Sequence, residues 1–239
     1  MLVYLGFSSA VLYSAAMQAW ILFTLLAVVM QSVRTAAQKQ IAQSITAAAA
    51  TLVRYLFGLP FALGYYFSLS YFYQGEEIVG NAVFYRASTL AAIAQIFATV
   101  FLIKALTLRN FAVGTALVKT EALLTAVLGA VFFSAALSSI AYLSVFLGVL
   151  GVLIASNWKA NWRDLFENES IKYGVGAGLG FALASLWIRE ASLSLDVPRL
   201  LSASTVLLYM VAIQTVLCLL FVAIRERMQL VLVLSRWKS

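Results

Sequence analysis

Apolar residues fall along this chain in runs of about 20, the helix length needed to cross a hydrocarbon core of about 30 Å at 1.5 Å rise per residue. From Ser88 to Ser156 three such runs follow one another, separated only by Leu108-Arg109-Asn110 and by the small, polar Ser134 to Ser139 connection. Other runs extend from Trp20 to about Gln38, from Ile45 to about Phe67, from Tyr173 to about Ala191 and from about Leu201 to Ile224. The pattern predicts an all-α polytopic membrane protein, a bundle of about seven transmembrane spans. Past Arg225-Glu226-Arg227, the apolar run Gln229 to Leu234 is too short to cross.

Polar residues inside these runs are the candidates for function, because placing a charge in lipid costs at least about 2.5 kcal/mol. Gln31, Arg34 and Gln38 recur at spacings of three and four and share one helical face beside Thr35. Alternatively, Arg34 and Lys39 extend from the helix end to the headgroups. Arg54 stands near the middle of the second run, where that escape is harder; it lines an interior path or pairs with Glu121 or main-chain carbonyls. Pro60 and Gly58 can kink the same helix. Gln95 shares a small, polar face with Ser88, Ala92 and Thr99, suited either to a cavity or to helix packing. Lys104 closes the third run. Lys119 and Glu121, two apart in the fourth, point in roughly opposite directions, which argues against a simple salt bridge between them, so at least one needs another partner. Gly174, Gly176, Gly178 and Gly180 open the sixth run in two overlapping GxxxG spacings, which allow close helix packing. No GK[ST] and no preceding strand support a phosphate loop there.

Composition agrees with a membrane protein. Hydrophobic residues make up 64% of the 239 and charged residues 10%, with a mean hydropathy of +0.98; a soluble domain is roughly 25% charged. The net charge of +7 lies in single basic residues at helix ends, a pattern that meets lipid headgroups rather than nucleic acid. With no His, a single Cys218 in an apolar run, and Asp164 and Asp196 both in loops, the sequence offers no metal-ligand set and no nucleophile with its base. An enzyme is not expected, nor a cofactor. Residues 1–33 carry no charge at all. Residues 1–16 are read either as a signal-like or interfacial segment before the first span or as an extension upstream of a natural start at Met17.

Sliding the chain on itself by about 155 residues lays the first span over the sixth and the second over the seventh, with Thr51 to Tyr55 near Thr205 to Tyr209. A five-span repeat forces the second copy to be inverted. Two copies would need about 310 residues, so roughly three spans of the second are not in this sequence.

The run ALTLRNFAVGTALVKTEALLTAVLGAVFF followed by LGVLGVLIAS, together with Arg54 in TLVRYLFGLP, resembles the repeat of EamA-type transporters of the drug/metabolite transporter superfamily. Glu121 is not followed by the proline often found after the family's glutamate. The resemblance implies a first EamA-like repeat over 17–156, a linker over 157–172 and a partial second repeat over 173–239. It also implies a secondary transporter that moves a small polar metabolite by alternating access, as importer or exporter, from the plasma (inner) membrane. Gln31, Arg34, Arg54, Gln95, Lys119 and Glu121 are then the substrate-path candidates, and Glu121 the candidate for proton coupling. The cationic side chains favour an anionic or zwitterionic solute. Expected partners are that solute, the lipid bilayer and a second copy of the chain, which would be one way to complete the second repeat. The competing reading is a transport-inactive truncated relative or a helix-packing subunit. The family implies a cytoplasmic N-terminus, yet that orientation puts Arg109, Lys159, Arg163, Lys172 and the Arg225 to Lys238 tail outside, against the positive-inside rule.

Overall fold

A computed structural model describes residues 2–108, 118–133, 138–155 and 169–235. Eight helices are described: α1 (Leu2–Ile41), α2 (Ala47–Phe72), α3 (Ala82–Thr107), α4 (Glu121–Phe132), α5 (Ser139–Ala155), α6 (Glu169–Leu193), α7 (Arg199–Arg225) and α8 (Arg227–Ser235). Among the described residues there is no strand. The chain forms two compact units, residues 1–41 and 42–239.

The first unit is α1 alone, a continuous helix of 40 residues, about 60 Å at 1.5 Å per residue. Its Ile21–Ile41 part is long and apolar enough to cross a membrane. Two hydroxyls of that part turn back on their own helix: Ser32 Oγ donates to the Val28 carbonyl at 2.9 Å and Thr35 Oγ1 to that of Gln31 at 2.8 Å.

In the second unit, α2, α3, α6 and α7 are each long and apolar enough to span. Where the fourth and fifth spans were expected stand shorter helices, α4 with 12 residues and α5 with 17. A turn at Lys119-Thr120 sets the start of α4. The break at Arg109-Asn110, residues Gly114 and Thr115, most of the Ser134 to Ser139 connection, the charged segment with Trp158, Trp162 and Asp164, and the end of the tail lie outside the described residues.

Helix pairing follows from the contacts at helix ends. α2 runs antiparallel to α7, since Thr46 at the start of α2 meets Glu226 and Gln229 just past the end of α7. α3 runs antiparallel to α6: Arg86 pairs with Glu190 at 3.0 Å and Asn81 with the Ser194 carbonyl at 2.6 Å. α4 packs on the outer side of α6 and α5 on α4. Helix extends past the apolar runs on both sides of the next connection, α2 to Phe72 and α3 from Ala82, and leaves residues 73–81 between them. Gly75, at φ +103°, takes the left-handed turn that a side chain would disfavour.

Lipid is as apolar as a leucine side chain, so close packing rather than water exclusion holds such helices together. The α3/α6 seam is accordingly built of small residues: Ala87, Ser88, Ala91, Ala98 and Ala105 are buried on α3, and Gly174, Ala177, Gly178, Ala182 and Ala184 on α6. Gly180 shows how close the backbones come. A Cβ there would lie 2.9 Å from the Ala98 Cβ and 3.2 Å from the Ala94 carbonyl oxygen. Gly176 instead faces the Phe101 ring, which a Cβ there would meet at 2.8 Å.

Asn81 ties one end of this seam. Its Oδ1 accepts from the Phe84 amide at 2.8 Å, capping α3, while its Nδ2 donates to Ser194 at the end of α6. Asn81→Ala removes both bonds and is expected to destabilise the protein by about 1–2 kcal/mol, read as a lower unfolding temperature in detergent. Asn81→Asp keeps the cap but not the donor and should fall between the two.

Candidate functional site

Arg54 is a half-buried charge whose side chain is engaged by the neighbouring helix. In the helix as it forms, Arg54 stands seven residues from the start of α2, about 11 Å along its axis. It is thus nearer that end than the apolar run suggested. Its side chain nevertheless turns inward: Nη1 donates to Thr99 Oγ1 of α3 at 2.8 Å. The guanidinium carbon also lies 5.3 Å from the centre of the Tyr55 ring, within reach of a cation–π attraction.

Thr99 is fully buried and begins a chain of bonds. Its oxygen is 3.2 Å from the Tyr55 hydroxyl, which is 3.3 Å from the Gln95 carbonyl. A carbonyl only accepts, so Tyr55 donates to Gln95 and Thr99 donates to Tyr55, leaving the Thr99 lone pairs for Arg54. One helical turn back from Thr99, the Gln95 side chain accepts from Gln214 Nε2 of α7 at 2.8 Å. The second hydrogen of that amide goes to the Ala92 carbonyl at 3.3 Å. Arg54, Tyr55, Thr99, Gln95 and Gln214 therefore form one polar network that joins α2, α3 and α7. It runs from near one end of the bundle to the middle of α3 and α7.

Glu121 stands elsewhere, at the first turn of α4. It accepts from Ser185 Oγ of α6 at 3.3 Å. The Arg54–Glu121 pairing kept open by the sequence is not the arrangement formed: among the described residues no hydrogen bond or ion pair joins them, and Arg54 goes to Thr99. Lys119 is exposed in the turn before α4. Lys104 is exposed at the end of α3, its ammonium 5.2 Å from the Tyr173 ring centre. Gln31, Arg34 and Gln38 belong to α1, the separate unit. Of the six substrate-path candidates, the structure brings Arg54 and Gln95 into one network.

Thr99, Tyr55 and Gln214 complete that network without having been counted among the candidates, Thr99 having been marked only as part of the polar face that holds Gln95. Gln214 was visible as the main polar residue of an otherwise apolar run, the one signal that could have found it. Tyr55 carried none, being an aromatic residue in an aromatic-rich helix.

At the opposite end, a cleft of about 830 Å³ opens between α3, α4 and α6. Arg86, Arg189 and Glu190 line it with Phe133 and Trp187, whose rings meet edge to face at 6.4 Å. No cluster of three or more metal-ligating side chains occurs among the described residues.

No curated protein and no solved structure matches the chain. The sequence profile of the EamA-like transporter family does, over residues 18–157. That stretch is more than half of the 239 residues and covers α2 to α5 with most of α1, and the helices it holds are those of an integral, multi-pass membrane protein: the chain belongs to the EamA-like transporter family.

Proposed function

We propose that the protein is a secondary transporter that carries a small polar metabolite across the plasma membrane by alternating access. The observation that carries this reading is the Arg54 network, a guanidinium bonded to Thr99 of α3 within a set of linked side chains that reaches α7 through Gln95 and Gln214. α2 and α3 come from the first repeat and α7 from the partial second. α2 and α7, which correspond across the repeats, run antiparallel, as inverted copies do. A fixed cation beside amide and hydroxyl groups suits a solute with an anionic group, so the substrate class is an anionic or zwitterionic metabolite. Arg86, Arg189 and the aromatic cleft would form the entrance at the other end. Glu121 is the proton-coupling group of this reading, with Ser185 orienting its carboxylate.

The test is a solute flux screen in sealed vesicles, with parent and variant inserted to equal amounts. Flux driven by a proton gradient is expected from the parent. Glu121→Gln should remove the dependence on the gradient while leaving downhill exchange of the same solute. A variant that keeps full proton dependence would remove Glu121 from the mechanism, and a parent inert to every solute would remove transport.

One observation favours the competing reading. Gln214 is 1% exposed, and both hydrogens of its amide are taken by protein groups, as in a bond that only fastens helices. On that reading the protein is a packing subunit, and no solute moves in parent or variants.

A further inference from the structure

A groove of about 630 Å³ lies between α2, α3 and α7, apart from the polar network and the aromatic cleft. Its wall is almost wholly hydrocarbon, with Ile93, Phe97 and Val100 along α3 facing Leu217 and Phe221 of α7. Ile93, Phe97, Leu217 and Phe221 are 37–58% exposed, so the groove opens outward from these helices. From Ile93 to Lys104 it follows α3 for 11 residues, about 16 Å. That is close to half of a hydrocarbon core of about 30 Å, the depth of one leaflet.

The polar groups of the groove gather at one end. Glu226 and Thr46 satisfy each other there, the carboxylate accepting from the Thr46 hydroxyl at the positive end of α2. Lys104 has no such partner: no ion pair joins it to another of the described residues. The Tyr173 ring steadies its ammonium without neutralising the charge. Lys172 in the first turns of α6 and Arg225 and Arg227 at the α7–α8 corner stand at the same end, against the carboxylates of Glu169 and Glu226, so that with Lys104 the cations there outnumber the anions by four to two.

We propose that this groove holds one anionic phospholipid, its acyl chain lying along Ile93, Phe97, Val100 and Phe221 and its phosphate on Lys104. Charge complementarity selects the headgroup, and the one-leaflet depth selects the chain. The site requires no transport activity.

The full chain is placed in nanodiscs of mixed phosphatidylglycerol and phosphatidylcholine, released into detergent, and its retained lipid counted by native mass spectrometry. The parent is expected to keep one phosphatidylglycerol in preference to phosphatidylcholine. Lys104→Ala should lower that preference about fivefold while one lipid of either headgroup remains. Ile93→Trp, which fills the groove at an exposed position and leaves the charge intact, should lose the retained lipid of both kinds. Lys172→Ala, at the same end but outside the groove, should behave as the parent. Excess inorganic phosphate should not displace the lipid. Unchanged preference in Lys104→Ala, a retained lipid in Ile93→Trp, an equal loss in Lys172→Ala or displacement by phosphate would each overturn the proposal. Circular dichroism at parental helix content qualifies each variant for the comparison.

Discussion

Arg54→Ala is expected to lower solute flux in sealed vesicles by roughly ten- to a hundred-fold while the protein still inserts and folds. A hydrogen bond to a charged group is worth about 1.5–3 kcal/mol, and each 1.4 kcal/mol is about a factor of ten in rate. The substitution removes the one charge of the network and leaves its neutral members joined, because Tyr55, Thr99, Gln95 and Gln214 bond to one another without it. Arg54→Lys keeps a charge but loses the planar fork that reaches Thr99, so partial flux with a weaker apparent affinity is expected. Gln214→Leu gives the contrasting case: it breaks the tie between α7 and α3 and should lower the unfolding temperature, with the guanidinium still in place. If Arg54→Ala moves solute as fast as the parent, Arg54 is a packing residue and the substrate path lies elsewhere.

The second large effect belongs to Gly180. Its missing side chain leaves 2.9 Å to the Ala98 Cβ and 3.2 Å to a main-chain oxygen of α3, and neither can swing aside. Gly180→Leu must therefore push α3 and α6 apart along the seam, at a cost at or above the roughly 1–3 kcal/mol typical of overpacking. A loss of folded protein on detergent extraction is the expected result. Gly176→Ala should be milder, because the Phe101 ring it meets belongs to a side chain that can shift. Gly58→Ala meets nothing within 4 Å and should be neutral or stabilising, since alanine favours a helix by about 1 kcal/mol over glycine. Equal unfolding temperatures across these three variants would mean that the α3/α6 approach is not what holds the bundle.

What the sequence made legible was dictated by the solvent. Runs of apolar residues mark membrane helices because unsatisfied main-chain groups are so costly in lipid, and α2, α3, α6 and α7 appear where those runs lie. Helix ends were less legible. α2 continues to Phe72 and α3 starts at Ala82, as tyrosine-rich turns are helical at the interface yet read as connection by hydropathy. In the described part of the fourth run, Lys119-Thr120 makes a turn before α4 in a stretch whose composition is continuous. Partners were the least legible feature. Periodicity placed Gln95 and Thr99 on one face of α3, but what that face meets depends on packing: Gln95 finds Gln214 119 residues away and Thr99 finds Arg54 at 45. The separation of Glu121 from Arg54 has the same origin, since α4 packs on α6 while α2 pairs with α7.

The cap on α2 carries a consequence for biogenesis. Thr46 accepts from the Ala49 amide in the usual way, but the group that takes its own N–H is not the third residue of the helix, which is alanine; it is Gln229. Glu226, bonded to the Thr46 hydroxyl, lies 180 residues downstream. At about 5–20 residues per second, roughly 9–36 s of synthesis separate the two. During that interval the Thr46–Ala49 cap can form but the Thr46 N–H and hydroxyl lack these partners, so the nascent chain passes through a stage in which those two donors are met by the insertion machinery or by water until the α7–α8 corner arrives.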